Sequence, residues 1–236
     1  QLAVRQLGAD GGIAITASHN PAQWNALKFV RGDGCFLNQY EARELLDIYH
    51  QGDYLKAKGR DFHLPYNYTK AVKNHIDLIL EKIGPLPAPR GAKGKKIRAV
   101  VDCVNGAGSV MSAKLLKKLG CEVLTINSRR EGIFPRPPEP LRENLGALCE
   151  AVKKHGADVG FAQDADADRL AVVSHRGQPI GEEYTLAIAV DSVLERTPGP
   201  VVINLATTRA VEDIAAARGC EVTRSRIGEI NVTEMM

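Results

Sequence analysis

The chain has 236 residues, 44% of them hydrophobic and 25% charged, enough to bury one large core or two ordinary ones. With 31 Lys and Arg against 28 Asp and Glu, the net charge is only +3, which excludes nucleic acid or an anionic membrane as a partner held by bulk charge. No apolar run is long enough for a membrane span, and the first residues form no signal peptide.

The five cysteines are odd in number and form no C-x-x-C pair, and Cys103 and Cys121 lie in apolar runs. Reduced thiols in a cytoplasmic protein are expected, rather than a disulfide framework or a zinc site. The chain opens at Gln1 almost directly on a motif and closes at Thr233–Met236 on the start of a helix, so truncation at both ends is expected.

In chain order, Gly11 to Thr16 reads as a short strand entering a loop at Ala17-Ser18-His19-Asn20-Pro21. Asn38 is a helix N-cap with Glu41 as its capping-box partner. The helix it starts ends near Gly52 and is expected to bury Leu45, Leu46, Ile48 and Tyr49. A second helix runs from Ala71 to Ile83, carrying Val72, Ile76, Ile79, Leu80 and Ile83. Gly84 to Gly91, rich in proline, is the clearest linker, and the basic run Arg90, Lys93, Lys95, Lys96 and Arg98 reads as its solvated continuation.

Beyond it the pattern becomes strand (Ile97 to Asp102), helix (Ser109 to Leu119) and strand (Cys121 to Ile126), a βαβ unit that implies parallel pairing. A helix at Leu141 to His155 follows. Val159 to Ala162 and Leu170 to Val173 are strands flanking an acidic loop. A helix from about Glu182 to Arg196 leads to Pro198-Gly199-Pro200. Val201 to Leu205, a helix through Ala210 to Ala217, and Glu221 to Thr223 begin another α/β unit. The expected fold class is α/β, in successive domains with mixed, partly parallel sheets. The expected divisions are residues 1–84, a linker at 85–96, a domain at 97–196 and the start of another at 197–236.

Two segments carry chemistry. In the first, a serine at the tip of a strand-to-loop turn can present its hydroxyl to a ligand. His19 beside Ser18, and Lys28 ten residues on, can supply charge and proton transfer. The plainer alternative is a polar turn built on Asn20-Pro21. No G-x-S-x-G surrounds Ser18, so it is not a hydrolase elbow.

In the second, Asp164, Asp166 and Asp168 alternate along one loop and repel one another unless a cation neutralises them. Mg²⁺ or Ca²⁺ is the natural occupant, against the alternative of a solvated acidic loop. An EF-hand is excluded, because its sixth position here is Arg169 and its twelfth His175. Asn105-Gly106-Ala107-Gly108 lacks a third glycine at Met111, so it reads as a tight strand-to-helix turn rather than a dinucleotide site.

Taken together, Ser18-His19-Asn20-Pro21 with Asn25 to Phe29 resembles the phosphoserine loop of the α-D-phosphohexomutases, and Asp164 to Arg169 resembles their Mg²⁺ loop. Glu139-Pro140 with Glu143-Asn144-Leu145 resembles another segment of the same family. The resemblance implies an isomerase that moves a phosphoryl group between the 1- and 6-positions of a hexose phosphate, through a bound hexose 1,6-bisphosphate. Phosphoglucosamine mutase or phosphomannomutase activity is implied.

On that resemblance Ser18 carries the phosphoryl group, and Mg²⁺ sits among Asp164, Asp166, Asp168 and a Ser18 phosphoryl oxygen. Arg169 pairs with the phosphoserine, His19 and Lys28 do acid/base work, and Arg226 and Gly228 lie near the sugar. Residues 1–236 alone are not expected to complete the cycle. Two other functions stay open: a non-catalytic sugar-phosphate or metal-binding module, and a phosphatase with an Asp nucleophile in Asp164-Ala165-Asp166. Ala26, Ala165 and Ala167 stand where the family often has glycine, which would add strain wherever φ is positive.

Overall fold

The computed structural model describes residues 1–52, 54–56, 59, 64–84 and 94–236; most of the expected linker lies outside them. Helix α1 (Leu2–Leu7) leads into an antiparallel ribbon of β1 (Gly11–Ile15) and β2 (Leu27–Arg31), with Ala14 opposite Lys28. Helices α2 (Gln39–Gln51) and α3 (Ala71–Ile83) follow. Asn38 caps α2 as expected: its side chain accepts from Tyr40 and Glu41 N–H at 3.0 Å, and Glu41 returns a bond to Asn38 N–H at 2.8 Å.

The apolar residues of α2 are a correction. Leu46, Ile48 and Tyr49 are 55%, 39% and 68% exposed, and only Leu45 is half-buried. The stripe is present in the sequence, but no described element covers it.

The second region is built on a four-stranded sheet in the order β4-β3-β5-β6. Strand β3 (Arg98–Asp102) pairs in parallel with both β4 (Glu122–Ile126) and β5 (Val159–Gln163), and β6 (Leu170–Ser174) returns antiparallel to β5. The helix expected from Ser109 begins instead as a 3₁₀ turn at Ala107–Val110 and becomes α4 at Ser112–Lys118. The helix expected from Leu141 likewise opens with a 3₁₀ turn at Arg142–Asn144 before α5 (Gly146–His155).

The core lies between α5 and the sheet, where Val100, Leu148, Val152, Ala162 and Val173 are fully buried. Gly160 permits this approach, since a Cβ there would come within 2.7 Å of Val152 Cγ2. Cys103 is buried just beyond β3, and its thiol is pushed up to about 11, mainly by burial and then by the charge of Asp102. Because β3 and β5 are parallel, Asp102 and Gln163 end at the same sheet edge, and the acidic loop opens there.

Helix α6 (Glu182–Arg196) packs on β6 and on α7 (Ala210–Ala217). Strands β7 (Val201–Asn204) and β8 (Val222–Ser225) form a parallel pair, and α8 (Glu229–Met235) follows. No helix among the described residues is long and apolar enough to cross a membrane.

Candidate active site

Strand β1 delivers Thr16, Ala17 and Ser18 to the sheet-edge side of the second region. Ser18 sits at φ 55, a left-handed conformation costly for a residue with a Cβ. The turn is held by Ser18 N–H donating to Thr16 Oγ1 at 3.0 Å and Asn20 N–H donating to the Ala17 carbonyl at 3.1 Å. His19 Nδ1 lies 3.3 Å from Ser18 Oγ. A cavity of about 490 Å³ opens between this loop and the Asn105–Gly106 turn, with Trp24, Arg130 and Phe134 on its walls.

The hairpin and the acidic loop meet chiefly at Asp166. Asp166 Oδ2 accepts from Lys28 Nζ at 3.2 Å and from Thr16 Oγ1 at 3.3 Å, across well over a hundred residues of sequence. Lys28 Nζ also stands 4.0 Å from Asp168 Oδ2.

Within the loop, Asp164, Asp166 and Asp168 each offer a carboxylate oxygen, and these oxygens lie within 4.8 Å of one another. Asp164 is fully buried. Its Oδ1 accepts from Arg169 N–H at 3.2 Å, whereas its Oδ2 and Asp166 Oδ1 are buried without any hydrogen-bond partner. Such oxygens are expensive to bury unless a donor or cation satisfies them. An all-carboxylate donor set with two orphaned oxygens fits a hard divalent cation.

The electrostatics agree. Burial raises Asp164 to about 7; Asp168 and Asp166 add to this, and the Arg169 N–H only partly offsets it. Burial would also raise Asp166, but the neighbouring Asp164 carboxyl and the Lys28 ammonium outweigh it and hold that carboxyl below its ordinary range.

Arg169 Nη1 donates to Glu139 Oε1 at 2.7 Å, and the same oxygen is 3.9 Å from His19 Nε2. Glu139 therefore links the histidine beside Ser18 to the arginine that closes the acidic loop. In the sequence it stood out only as part of a family segment, because its partners are 30 residues downstream and in another region. Of the three alanines, only Ala167 has positive φ, at 66. Arg226 is exposed and Gly228 has φ 127; no hydrogen bond or ion pair joins either to the Ser18–Asp164 group among the described residues.

Fold and site together define an α/β protein in which a serine-tipped hairpin meets a loop of three clustered carboxylates that could hold a cation. Three domain families described as phosphoglucomutase/phosphomannomutase, alpha/beta/alpha domains I, II and III, match residues 1–56, 67–177 and 181–236. The chain belongs to this phosphoglucomutase/phosphomannomutase family, the α-D-phosphohexomutases.

It is 35% identical to a phosphoglucomutase/phosphomannomutase of Thermococcus kodakarensis, over 100% of this chain and 51% of that protein. It is 34% identical to a probable phosphoglucosamine mutase of Methanopyrus kandleri, over 95% of this chain and 48% of that protein. A crystal structure of a phosphoglucomutase/phosphomannomutase family protein from Burkholderia thailandensis superposes with a TM-score of 0.80 at 26% identity, over 96% of this chain and 47% of that one. The chain thus spans about half the length of the relatives it matches.

Proposed function

We propose that this chain supplies the phosphoryl-carrying and metal-binding part of an α-D-phosphohexomutase, a cytoplasmic enzyme acting on a hexose phosphate through a hexose 1,6-bisphosphate. The observation that carries the reading is the convergence of Lys28 and Thr16 on Asp166 Oδ2, which ties the hairpin that carries Ser18 to the acidic loop. The names of the relatives, one a probable phosphoglucosamine mutase, favour phosphoglucosamine or phosphomannose as the substrate class. We carry forward the division into residues 1–84, 97–196 and 197–236, with the serine on the first part and the carboxylates on the second.

Mg²⁺ would be held by Asp164, Asp166 and Asp168; when bound, it neutralises their charge and polarises phosphoryl oxygens. The rest of the work falls to side chains. Ser18 Oγ attacks the phosphorus of the sugar bisphosphate and its proton passes to His19 Nδ1. The bond from phosphorus to the sugar oxygen breaks, and that oxygen takes a proton from Lys28. The products are phosphoserine and a hexose monophosphate. Phosphoserine adds nearly two negative charges, which the now protonated His19 and Arg169 help to offset, joined by Lys28 once it regains a proton. In this role Arg169 exchanges its bond to Glu139 for one to the phosphoserine, and Arg226 and Gly228 remain assigned to the sugar side.

An Asp nucleophile is disfavoured by the burial of Asp164 and by the two donors on Asp166 Oδ2. The test is release of hexose monophosphate from hexose 1,6-bisphosphate in the presence of Mg²⁺, comparing wild type with Ser18→Ala. Release by wild type and none by the folded variant is expected. Equal release by both would overturn the assignment.

A further inference from the structure

A carboxylate on a loop goes where its own backbone takes it, and the carbonyls on both sides of Asp164 are pinned. The Gln163 carbonyl accepts from Arg136 Nη2 at 2.9 Å, and the Ala165 carbonyl accepts from Ala107 N–H at 2.8 Å. Both donors trace back to a single side chain. Asp102, at the end of β3 and fully buried, takes Arg136 Nε on its Oδ2 at 2.8 Å. Its Oδ1 accepts from Val104 N–H at 2.9 Å and from Asn127 Nδ2 at 3.1 Å.

The bond to Val104 N–H fixes the start of the turn that carries Ala107. Val104 and Asn105 are both left-handed there, at φ 47 and 57, a costly conformation for a β-branched residue. What the strain achieves is a close approach: a Cβ on Gly106 would overlap the Ala165 carbonyl. The rest of the Arg136 guanidinium is also occupied, with Nη1 on the carbonyls of Pro137 and Pro138 at 3.0 and 3.2 Å. The side chains of Arg136 and Asp102 are 8% and 1% exposed.

Neither residue touches a reacting atom. A buried ion pair is weak evidence for stability, since apolar side chains of similar volume often serve as well. Here one arm of the pair, Arg136 Nη2, holds the Gln163 carbonyl directly, and another, Asp102 Oδ1, holds the turn whose Ala107 N–H reaches the Ala165 carbonyl, on the two sides of one proposed cation ligand. We propose that Asp102 and Arg136 are positioning residues for the carboxylate site, setting the placement of Asp164 from both sides. This rests on the metal reading given above.

The test is Mg²⁺ affinity by calorimetry, beside thermal stability, for Asp102→Asn, Arg136→Lys and the double variant Asp102→Asn/Arg136→Gln, with Val152→Ala as a stability control. Both single variants are expected to bind Mg²⁺ about tenfold or more weakly, as is usual when groups supporting a ligand are lost. The double variant buries no unpaired charge and should recover melting temperature relative to Asp102→Asn. Its affinity should stay low, because a glutamine amide cannot bridge the end of β3 and the Gln163 carbonyl together. Val152→Ala should melt earlier and bind Mg²⁺ normally.

Wild-type binding with all variants within twofold of it would overturn the positioning role alone. So would an equal loss of affinity in Val152→Ala. Failure of wild type to bind Mg²⁺ would sink the metal reading and this proposal with it. If Asp102→Asn does not fold, Arg136→Lys decides by the same criterion.

Discussion

Asp164 leaves β5, whose own Ala162 and whose neighbours Val100 and Val173 are fully buried under α5, whereas Ser18 leaves a two-stranded ribbon on which Ile13 and Ile15 are 61% and 70% exposed. The carboxylates are thus carried by a packed core and the serine by a thin hairpin. What joins the two is polar: one ammonium and one hydroxyl on Asp166 Oδ2, with the longer Lys28–Asp168 and His19–Glu139 pairs beside them. On the proposed function, in which Ser18 carries the phosphoryl group, this division would keep the carboxylates fixed while the serine loop adjusts around them.

The comparison can be broken at its joint. Asp166→Ala removes a proposed cation ligand and the hairpin's main anchor together, so Mg²⁺ binding should vanish by calorimetry. Trp24, the single tryptophan and 62% exposed beside the same cavity, should report the hairpin's release as a change in fluorescence. Unchanged Mg²⁺ affinity would remove the metal from this loop.

The two regions should also differ in what a truncated side chain costs. Leu148→Ala empties a fully buried position and should cost about 2–5 kcal/mol in denaturant unfolding. Ile15→Ala, on the ribbon, should stay within about 0.5 kcal/mol. Similar losses at both would mean the ribbon is packed as firmly as the core.

A pH series sharpens the picture of Asp164. Its folded value of about 7 lies above the ordinary carboxylate value of 3.8, so between these the metal-free folded state holds a proton that the unfolded state has lost. Stability from this group is therefore full below about pH 4 and is lost as pH rises through 7. Metal-free wild type should be less stable than Asp164→Asn at pH 8, by a few kcal/mol at most, and the gap should close towards pH 4. Mg²⁺ at pH 8 should favour the wild type again. A gap that does not move with pH would contradict the burial argument. The smallest effect is expected at Ala167, where glycine relieves a left-handed backbone: Ala167→Gly should gain about 0.5 kcal/mol, the strain released minus the added chain entropy.

Long periodic segments were legible in the sequence. The helices at Ala71–Ile83, Glu182–Arg196 and Ala210–Ala217 fall where their apolar spacing and flanking breakers place them. The parallel β3–β4 pairing follows from the strand-helix-strand order. Helix α1, six residues long, has too few turns to show a period, and β2 is short, with Lys28 and Arg31 interrupting its apolar run.

The exposed face of α2 was unreadable for a different reason: an apolar stripe announces itself, its partner does not. The same limit applies to the site. Ser18 and the three aspartates declare themselves by local pattern. Asp102, Arg136 and Glu139 do not, because each matters only through residues that the sheet order brings to it, 34 residues away for Asp102 and Arg136.

The account is tested most directly by mapping where a phosphoryl group lands. The chain would be incubated with a hexose 1,6-bisphosphate and Mg²⁺, digested, and its phosphopeptide sequenced by mass spectrometry. A single phosphoryl group on Ser18, lost in Asp166→Asn, is the expected result. No phosphoryl group on Ser18, or one on Asp164 or Asp166, would contradict it.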